Sequence, residues 1–274
     1  MRTHRPGTRR AAVLWVGGML ALALLGGGAA GCSPSPKTLT FCTDPTYPPA
    51  EFYQAAQVGT LTLKRKLVGA DIDIGSAVAK QLGRPVAFAD TPFDQIIAAL
   101  QAGHCDAIIS FMNDTPQRRQ QVAFVDYLAA GQMILLPKGA PAVSQVSDLY
   151  GRTVSVAQGT TEQQFLQALN ARAPTGRPIK ILSFATENDA IYALQHGAAD
   201  AYFGDTPIVI TAAAADSSLT AGAELVPPIP VGIAVRPGDP LHAQIAQAIK
   251  SMYQDGAMGT ILSKWNWTRY AHTG

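Results

Sequence analysis

The chain has little of what a hydrolase, a metalloenzyme or a nucleic-acid binder requires. Its 274 residues hold three cysteines and five histidines, and no Ser-His-Asp, Cys-His or metal-ligand spacing joins them. His104 and His196 fall in two glycine junctions where surface loops are expected, His242 in a C-terminal helix, and His4 and His272 near the chain ends. No glycine-rich phosphate loop occurs, so neither a cofactor nor a metal is expected. Charged residues make up 15% of the chain, and no run of one sign offers a basic field to nucleic acid or another polyanion. Four arginines (Arg2, Arg5, Arg9, Arg10) stand at the extreme N-terminus ahead of any acid. Without them, 17 Lys plus Arg face 19 Asp plus Glu, and the formal net charge of +2 becomes −2.

Those arginines precede an uncharged apolar run over residues 11–25 and small residues up to Cys32, the layout of a secretory signal spanning residues 1–31. The run is shorter than the roughly 20 residues of a membrane-spanning helix, although the glycines after it lengthen it, and a retained anchor is the alternative. The sequence Ala29-Ala30-Gly31-Cys32 resembles the lipobox of bacterial lipoproteins, which implies lipidation of Cys32 and an extracytoplasmic, membrane-anchored protein. Position 29 departs from that pattern, where Leu is favoured, so ordinary cleavage giving a secreted form is the second possibility. Residues 32–37 then read as the lipidated Cys and an extended tether, since Ser33-Pro34-Ser35-Pro36 follows directly. A secreted setting permits Cys42 and Cys105 to pair. Placing Cys42 late in one strand and Cys105 at the start of a parallel one separates their Cα atoms by more than the ~7 Å a disulfide allows. That argues against the bond without closing the question.

An internal echo organises the remainder. The pattern Ala-Leu-Gln-x-Gly-x-x-Asp-Ala occupies residues 99–107 and again 193–201. In the first copy Phe93, Ile96, Ile97 and Leu100 recur at helical spacing, Gly103 supplies a left-handed stop, and residues 106–110 read as a buried strand. The second copy runs through Ile191 and Leu194, stops at Gly197 and continues into a strand over 200–204. A helix, a glycine stop and a buried strand used twice point to two α/β lobes of similar build; coincidence is the alternative, because this junction is common. Further strands are expected over 39–43, 85–89, 153–157 and 179–184. Helices are expected through Ile74, Val78 and Leu82, over 162–169, and on two C-terminal faces, one with Ile245, Ala248, Ile249 and Met252, the other with Met258, Ile261, Leu262 and Trp265.

Ligands of such sheets sit beyond the carboxyl ends of the strands, which directs attention to the segments after residues 43, 110, 157 and 204. They offer Asp44, Tyr47, Asn113, Arg118, Thr160, Thr161 and Asp205. A guanidinium, carboxylates, hydroxyls and an aromatic face together suit a zwitterion. An α-carboxylate is best held by a bidentate Arg with hydroxyls and backbone N–H groups, and an α-ammonium by an Asp and neutral acceptors. Arg118 takes the first role and Asp205 the second. Each residue also has a plainer explanation: Arg118 as a surface arginine beside Arg119, Asp205 as a helix N-cap before Thr206-Pro207, Thr160 as the cap of the helix over 162–169, and Tyr47 as core.

The order and spacing of several segments resemble the amino-acid-binding family of ABC-transporter solute-binding proteins, family 3, over nearly all of residues 38–266. The carrying segments are Thr-Asp-Pro-Thr-Tyr-Pro-Pro at 43–49, Gly-Ala-Asp-Ile-Asp at 69–73, the stretches 93–103 and 106–118, Val-Asp-Tyr at 125–127, Gln-Gly-Thr-Thr at 158–161, residues 199–205 and 231–235, and Lys264-Trp265. The resemblance implies an α/β, two-lobed periplasmic-binding-protein fold of type II, its lobes joined by two crossing hinge strands near residues 129–132 and 226–231. Lobe 1 is expected to comprise residues 38–129 plus 229–274, with lobe 2, residues 130–228, inserted. It implies a monomer that closes on an amino acid or related zwitterion in the cleft and delivers it to an ABC permease in the membrane.

Carried over position by position, Asp44 and Tyr47 match a cleft carboxylate and a stacking aromatic, Phe93 an opposing apolar wall, and Ser110 and Arg118 the carboxylate grip. Thr160, Thr161 and Asp205 match contacts from the second lobe. Asn113 departs from the family's usual Ser or Thr while keeping a donor, and Phe111 replaces a small residue and narrows the cleft. Asp44 and Asp205, with Glu51 and Asp114 nearby, favour a polar or cationic ligand, and no second arginine awaits a side-chain carboxylate. Two rivals share the fold: an extracytoplasmic dehydratase acting on aromatic amino-acid precursors, and a ligand sensor acting through a membrane receptor. The first needs a cleft acid or base. Glu162 is its candidate, with a solvated first-turn glutamate as the simpler explanation.

Overall fold

The computed structural model describes residues 36–58 and 61–271; the expected leader, Cys32 and the start of the expected tether lie outside them. The first segment runs β1 (Leu39–Thr43), β2 (Thr46–Tyr47), β3 (Glu51–Val58), β4 (Leu61–Val68), α1 (Ala70–Gln81), β5 (Val86–Asp90), α2 (Ile96–Gln101) and β6 (Ala107–Ile108). A long strand β7 (Ala123–Pro137) leads to β8 (Thr153–Ala157), α3 (Thr161–Asn170), β9 (Lys180–Phe184), α4 (Glu187–Gln195), β10 (Ala201–Asp205) and α5 (Thr206–Ala215). A second long strand, β11 (Leu219–Val235), returns to α6 (Leu241–Gln254) and α7 (Ala257–Lys264).

Eight strands form one sheet in the order β5-β1-β6-β11-β7-β10-β8-β9, and β2-β3-β4 form a separate antiparallel sheet. The two ends of the large sheet are built alike: β1 lies parallel between β5 and β6, and β8 lies parallel between β9 and β10. Side chains alternate across each strand. Phe41 enters a cluster with Ile74, Ile233, Met252 and Trp267, while its neighbour Cys42 enters one with Ile96, Leu100 and Ile108. At the other end Phe203 packs with Ile134, Val154 and Leu166, and Tyr202 with Leu135, Leu194 and Val209. Each end of the sheet is therefore covered on both faces, as parallel strands require. Helices α6 and α7 bring Ile245, Met252 and Leu262 back onto the cluster of β1 and α1.

The repeated motif is one mechanical part used twice. Gly103 and Gly197 both take left-handed φ, 79° and 72°. Asp106 N–H donates to Thr40 O while its carboxylate accepts Thr40 N–H at 3.0 Å; Asp200 N–H donates to Thr153 O and its carboxylate accepts Thr153 N–H at 2.7 Å. In each copy the Asp fastens the incoming strand to the start of its parallel neighbour. The first strand is shorter than expected, with ladder pairing only at Ala107–Ile108, because the chain turns into the cleft at Ser110.

The expectation against a disulfide is corrected: Cys42 and Cys105 are bonded, with Cα atoms 5.6 Å apart. Cys105 precedes β6 and lies in the turn after Gly103 rather than in the strand. The chain therefore reaches it from beneath the sheet, on the face where Cys42 points, and an offset counted along the ladder does not apply.

Candidate functional site

Four strand ends of the large sheet meet at one cavity. Asp44 follows β1, Ser110 follows β6, Thr160 follows β8 and Asp205 ends β10, and all four line it. Of the nine ligand residues expected from the sequence, Asp44, Tyr47, Phe93, Ser110, Asn113, Arg118, Thr160 and Asp205 line the cavity. Thr161 does not: its hydroxyl donates to Asn113 Oδ1 at 2.7 Å and accepts from Gln132 at 2.7 Å, so it braces Asn113 from behind. Thr160 lines the wall, yet its hydroxyl donates to Ala157 O and accepts Gln163 N–H as the N-cap of α3.

Arg118 is 6% exposed, not a surface residue. Its Nη1 donates to Asn113 O at 2.9 Å, its Nη2 to Gly159 O at 3.2 Å, and its guanidinium lies 5.3 Å from the Phe93 ring centre. Two carbonyls from opposite ends of the sheet thus fix the fork, and its remaining N–H groups stay available to an anion. The adjacent Arg119 is the exposed one and pairs with Asp114, which removes Asp114 from the site.

Asp205 stands at the start of α5 but makes no side-chain cap bond. Its Oδ2 instead accepts the Tyr47 hydroxyl at 2.6 Å, and its Oδ1 accepts Asn113 Nδ2 at 3.4 Å. Tyr47 is held by its neighbours: Phe111 packs edge-on at 5.9 Å and meets Trp267 edge-on in turn at 5.2 Å. Phe111 has φ 40°, an uncommon conformation for a bulky residue, and its N–H is clamped by Asp71 Oδ2 at 2.6 Å.

The sequence reading underestimated how acidic this cavity is. Glu162 is 3% exposed and lines it, which overturns the solvated-glutamate explanation. Glu51 lines it too and accepts the Ser110 hydroxyl at 2.8 Å. Glu187, 7% exposed, was missed altogether. It follows β9, a fifth strand end, and applying the strand-end rule after Phe184 would have found it. Five carboxyls therefore share the cavity with one guanidinium.

Burial pushes all five carboxyls upward, most strongly Glu51 and Asp205. Asp205 is raised first by burial and then by the Glu162 charge, and Glu162 is raised by burial against the opposing pull of Thr161, Arg118 and Asp205. Glu51 faces Asp71 in the same way. Burial and the Asp71 charge raise Glu51, and Asp71 is lifted to about 6 by burial against the opposing pull of Tyr127 and the Phe111 N–H. Burial lifts Glu187 to about 8 despite the Tyr202 hydrogen bond. Burial also lowers Arg118, offset by Glu162 and Asp205. The site is thus short of positive charge, and a bound cation would favour the charged form of its carboxyls. Among the described residues no cluster could hold a metal ion, and no helix is long and apolar enough to cross a membrane.

Comparison with known proteins agrees with this architecture. The chain is 28% identical over 253 residues to the ABC transporter arginine-binding protein 1 of Escherichia coli K12, covering 90% of this chain and 98% of that one. It is 34% identical over 171 residues to the histidine-binding periplasmic protein of Salmonella typhimurium LT2, covering 62% and 61%. Among solved structures, an ancestral arginine-binding protein bound to arginine matches with a TM-score of 0.75 and 34% identity, over 83% of this chain and 97% of that one. An ancestral amino-acid-binding protein, a precursor of cyclohexadienyl dehydratase, matches at 0.73 and 33%, over 83% and 95%. The fold is accordingly the two-lobed type II arrangement. The model of the bacterial extracellular solute-binding proteins, family 3, matches residues 39–268, and the chain belongs to that family.

Proposed function

We propose that the protein is the extracytoplasmic receptor of an ABC importer, binding an amino acid in the cavity between its lobes, with a polar or cationic side chain favoured. The observation that carries this reading is the pairing of Arg118 with Asp205. A buried guanidinium, fixed by two carbonyls, stands in one cavity with a carboxyl group held by Tyr47 and Asn113. One end accepts an α-carboxylate; the other exchanges its proton for an α-ammonium. Lobe 1, residues 38–129 plus 229–274, and lobe 2, residues 130–228, meet along β7 and β11 in this proposal. Cys32 carries the lipid, and the liganded monomer presents both lobes to a membrane permease. The relatives named as arginine- and histidine-binding proteins support the class of ligand.

The test is a thermal-shift screen, followed by calorimetry, of protein refolded to strip bound ligand, against the common amino acids. A dose-dependent stabilisation by one chemical group of amino acids is expected; no stabilisation by any α-amino acid refutes the reading. Lipidation is tested separately by labelled fatty acid, which Cys32→Ser should abolish.

A second reading rests on Glu162. A buried cavity carboxyl with a raised pKa is what a general acid requires, and one matching structure is a precursor of cyclohexadienyl dehydratase. Turnover of cyclohexadienyl acids, lost in Glu162→Gln, would establish it.

A further inference from the structure

Among the cavity carboxyls, four are engaged by groups that line or brace the proposed zwitterion site. Asp44 accepts Phe93 N–H at 2.9 Å, Glu51 the Ser110 hydroxyl and Asp205 the Tyr47 hydroxyl, and Glu162 Oε2 lies 3.0 Å from the Thr161 hydroxyl oxygen. Glu187 differs. It is the first residue of α4, and its Oε2 accepts the hydroxyl of Tyr202 at 2.6 Å, a side chain from the packed core behind the cavity. Tyr202 therefore fixes the carboxyl from the protein side and leaves Oε1 for whatever occupies the cavity.

Its place along the cavity follows from which charges reach it. Arg118 is influenced by Glu162, Asp205 and Asp114, whereas Glu187 is influenced by Glu162 and Asp44. Glu187 in turn acts on Asp205 and Tyr47. Glu187 acts on Asp205 and is absent from the charges that act on Arg118, which sets it nearer the Asp205 end of the cavity. An amino acid gripped by its carboxylate at Arg118 and its ammonium at Asp205 projects its side chain into that part of the cavity.

We propose that Glu187 determines side-chain specificity: its carboxylate, oriented by the Tyr202 hydroxyl, receives a cationic group at the far end of the bound amino acid. The inference rests on the amino-acid reading above and adds the residue and chemistry that select the side chain. No arginine or lysine other than Arg118 lines the cavity, so a carboxylate-bearing side chain arriving here meets Glu187, Glu162 and Asp44 without a compensating cation. A guanidinium or ammonium meets a fixed acceptor. Before binding, burial keeps Glu187 protonated at neutral pH. The incoming cation stabilises the carboxylate, and the displaced proton passes to the buffer. The groups facing it are Asp44, Glu162 and Asp205 with the hydroxyls of Tyr47 and Tyr202. Carboxyls that lie nearer Arg118 release their protons to the buffer when the α-ammonium binds, and do so for any amino acid.

Arginine and citrulline separate these contributions, because they share a shape and differ by one charge. Calorimetry of the purified protein at pH 7, in two buffers of different ionisation enthalpy, gives affinity and proton release together. The wild type should prefer arginine and release more protons with it than with citrulline. Glu187→Gln retains an acceptor for Tyr202. It should lower the arginine-to-citrulline affinity ratio at least tenfold and erase the difference in proton release, with citrulline binding reporting that the variant is folded. The inference is overturned if the wild type binds citrulline as tightly as arginine, or if the ratio in Glu187→Gln stays within threefold of wild type. Loss of both ligands in the variant would reduce Glu187 to a support for Tyr202. Absence of binding by every α-amino acid in the wild type would instead sink the amino-acid reading itself.

Discussion

Arg118 shows how far single residues could be read in advance. Its neighbour Arg119 carries the same charge at the same point in the chain, and nothing in composition separates the buried guanidinium from the exposed one. Family spacing singled out Arg118, and the structure supplies the reason it is held: carbonyls of Asn113 and Gly159 on either side. Arg118→Ala removes a charge-assisted grip of roughly 1.5–3 kcal/mol, so calorimetry should find affinity for the cognate amino acid lower by about one to two orders of magnitude. The acidic character of the cavity was the least legible property. Glu162 and Glu187 look like ordinary first-turn glutamates in sequence, and only tertiary packing turns them inward. Their titration has a sign that can be checked. Glu187 and Asp71 have folded pKa values of about 8 and about 6, both above their unfolded values. The folded state therefore binds protons that the unfolded chain releases. Their stabilising contribution is present below pH 4 and is lost as pH rises toward 8, by about 1.4 kcal/mol per pH unit for each such group while its window lasts. Thermal midpoints of ligand-free protein should fall across this window, and Glu187→Gln should flatten the upper part of the decline.

Elements were legible where a strand or helix carries its own punctuation. The two copies of the Ala-Leu-Gln-x-Gly-x-x-Asp-Ala pattern predicted both glycine stops, and the structure adds the reciprocal backbone bond each Asp makes. The small sheet β2-β3-β4 went unread because its pairing is set by the partner strand and by Gly69. That glycine has φ 143°, and a Cβ there would lie 1.9 Å from Ala50 O. The full lengths of β7 and β11 were likewise hidden, since a strand paired along its whole course needs no alternation of its own. The Cys42–Cys105 bond was misjudged for a related reason: a ladder register describes strands and not the turn that feeds them. It closes a loop with a sequence separation of 63 residues, which in the chain-entropy account stabilises the fold by about 4 kcal/mol. A Cys42→Ala/Cys105→Ala variant should unfold on the order of 10 °C lower than wild type by calorimetry.

At the scale of the molecule, the bonds across the cavity join one end of the sheet to the other: Tyr47 to Asp205, Arg118 to Gly159, Asn113 to Thr161 and Gln158 to Asp94. In the proposed receptor these are the contacts that form on closure, and a ligand at a hundred times its Kd should add about 2.7 kcal/mol to stability. Gly159 marks a close backbone approach. It has φ 79°, and a Cβ there would lie 3.0 Å from Asp94 Cα. Gly159→Ala should hold the two ends apart and weaken ligand binding by about fivefold, or roughly 1 kcal/mol, measured by calorimetry.

The long pair β7-β11 is regular at both extremities and irregular between, with three of its four register shifts falling from Ala221 to Ile229. Rungs are missing from the ladder there, while the packed cores on either side keep theirs. In the proposed receptor this short stretch is where bending would unfasten least of what holds either half together. In mechanical terms the proposed receptor would be two stiff bodies on a soft flexure, with the work of opening falling on these few residues.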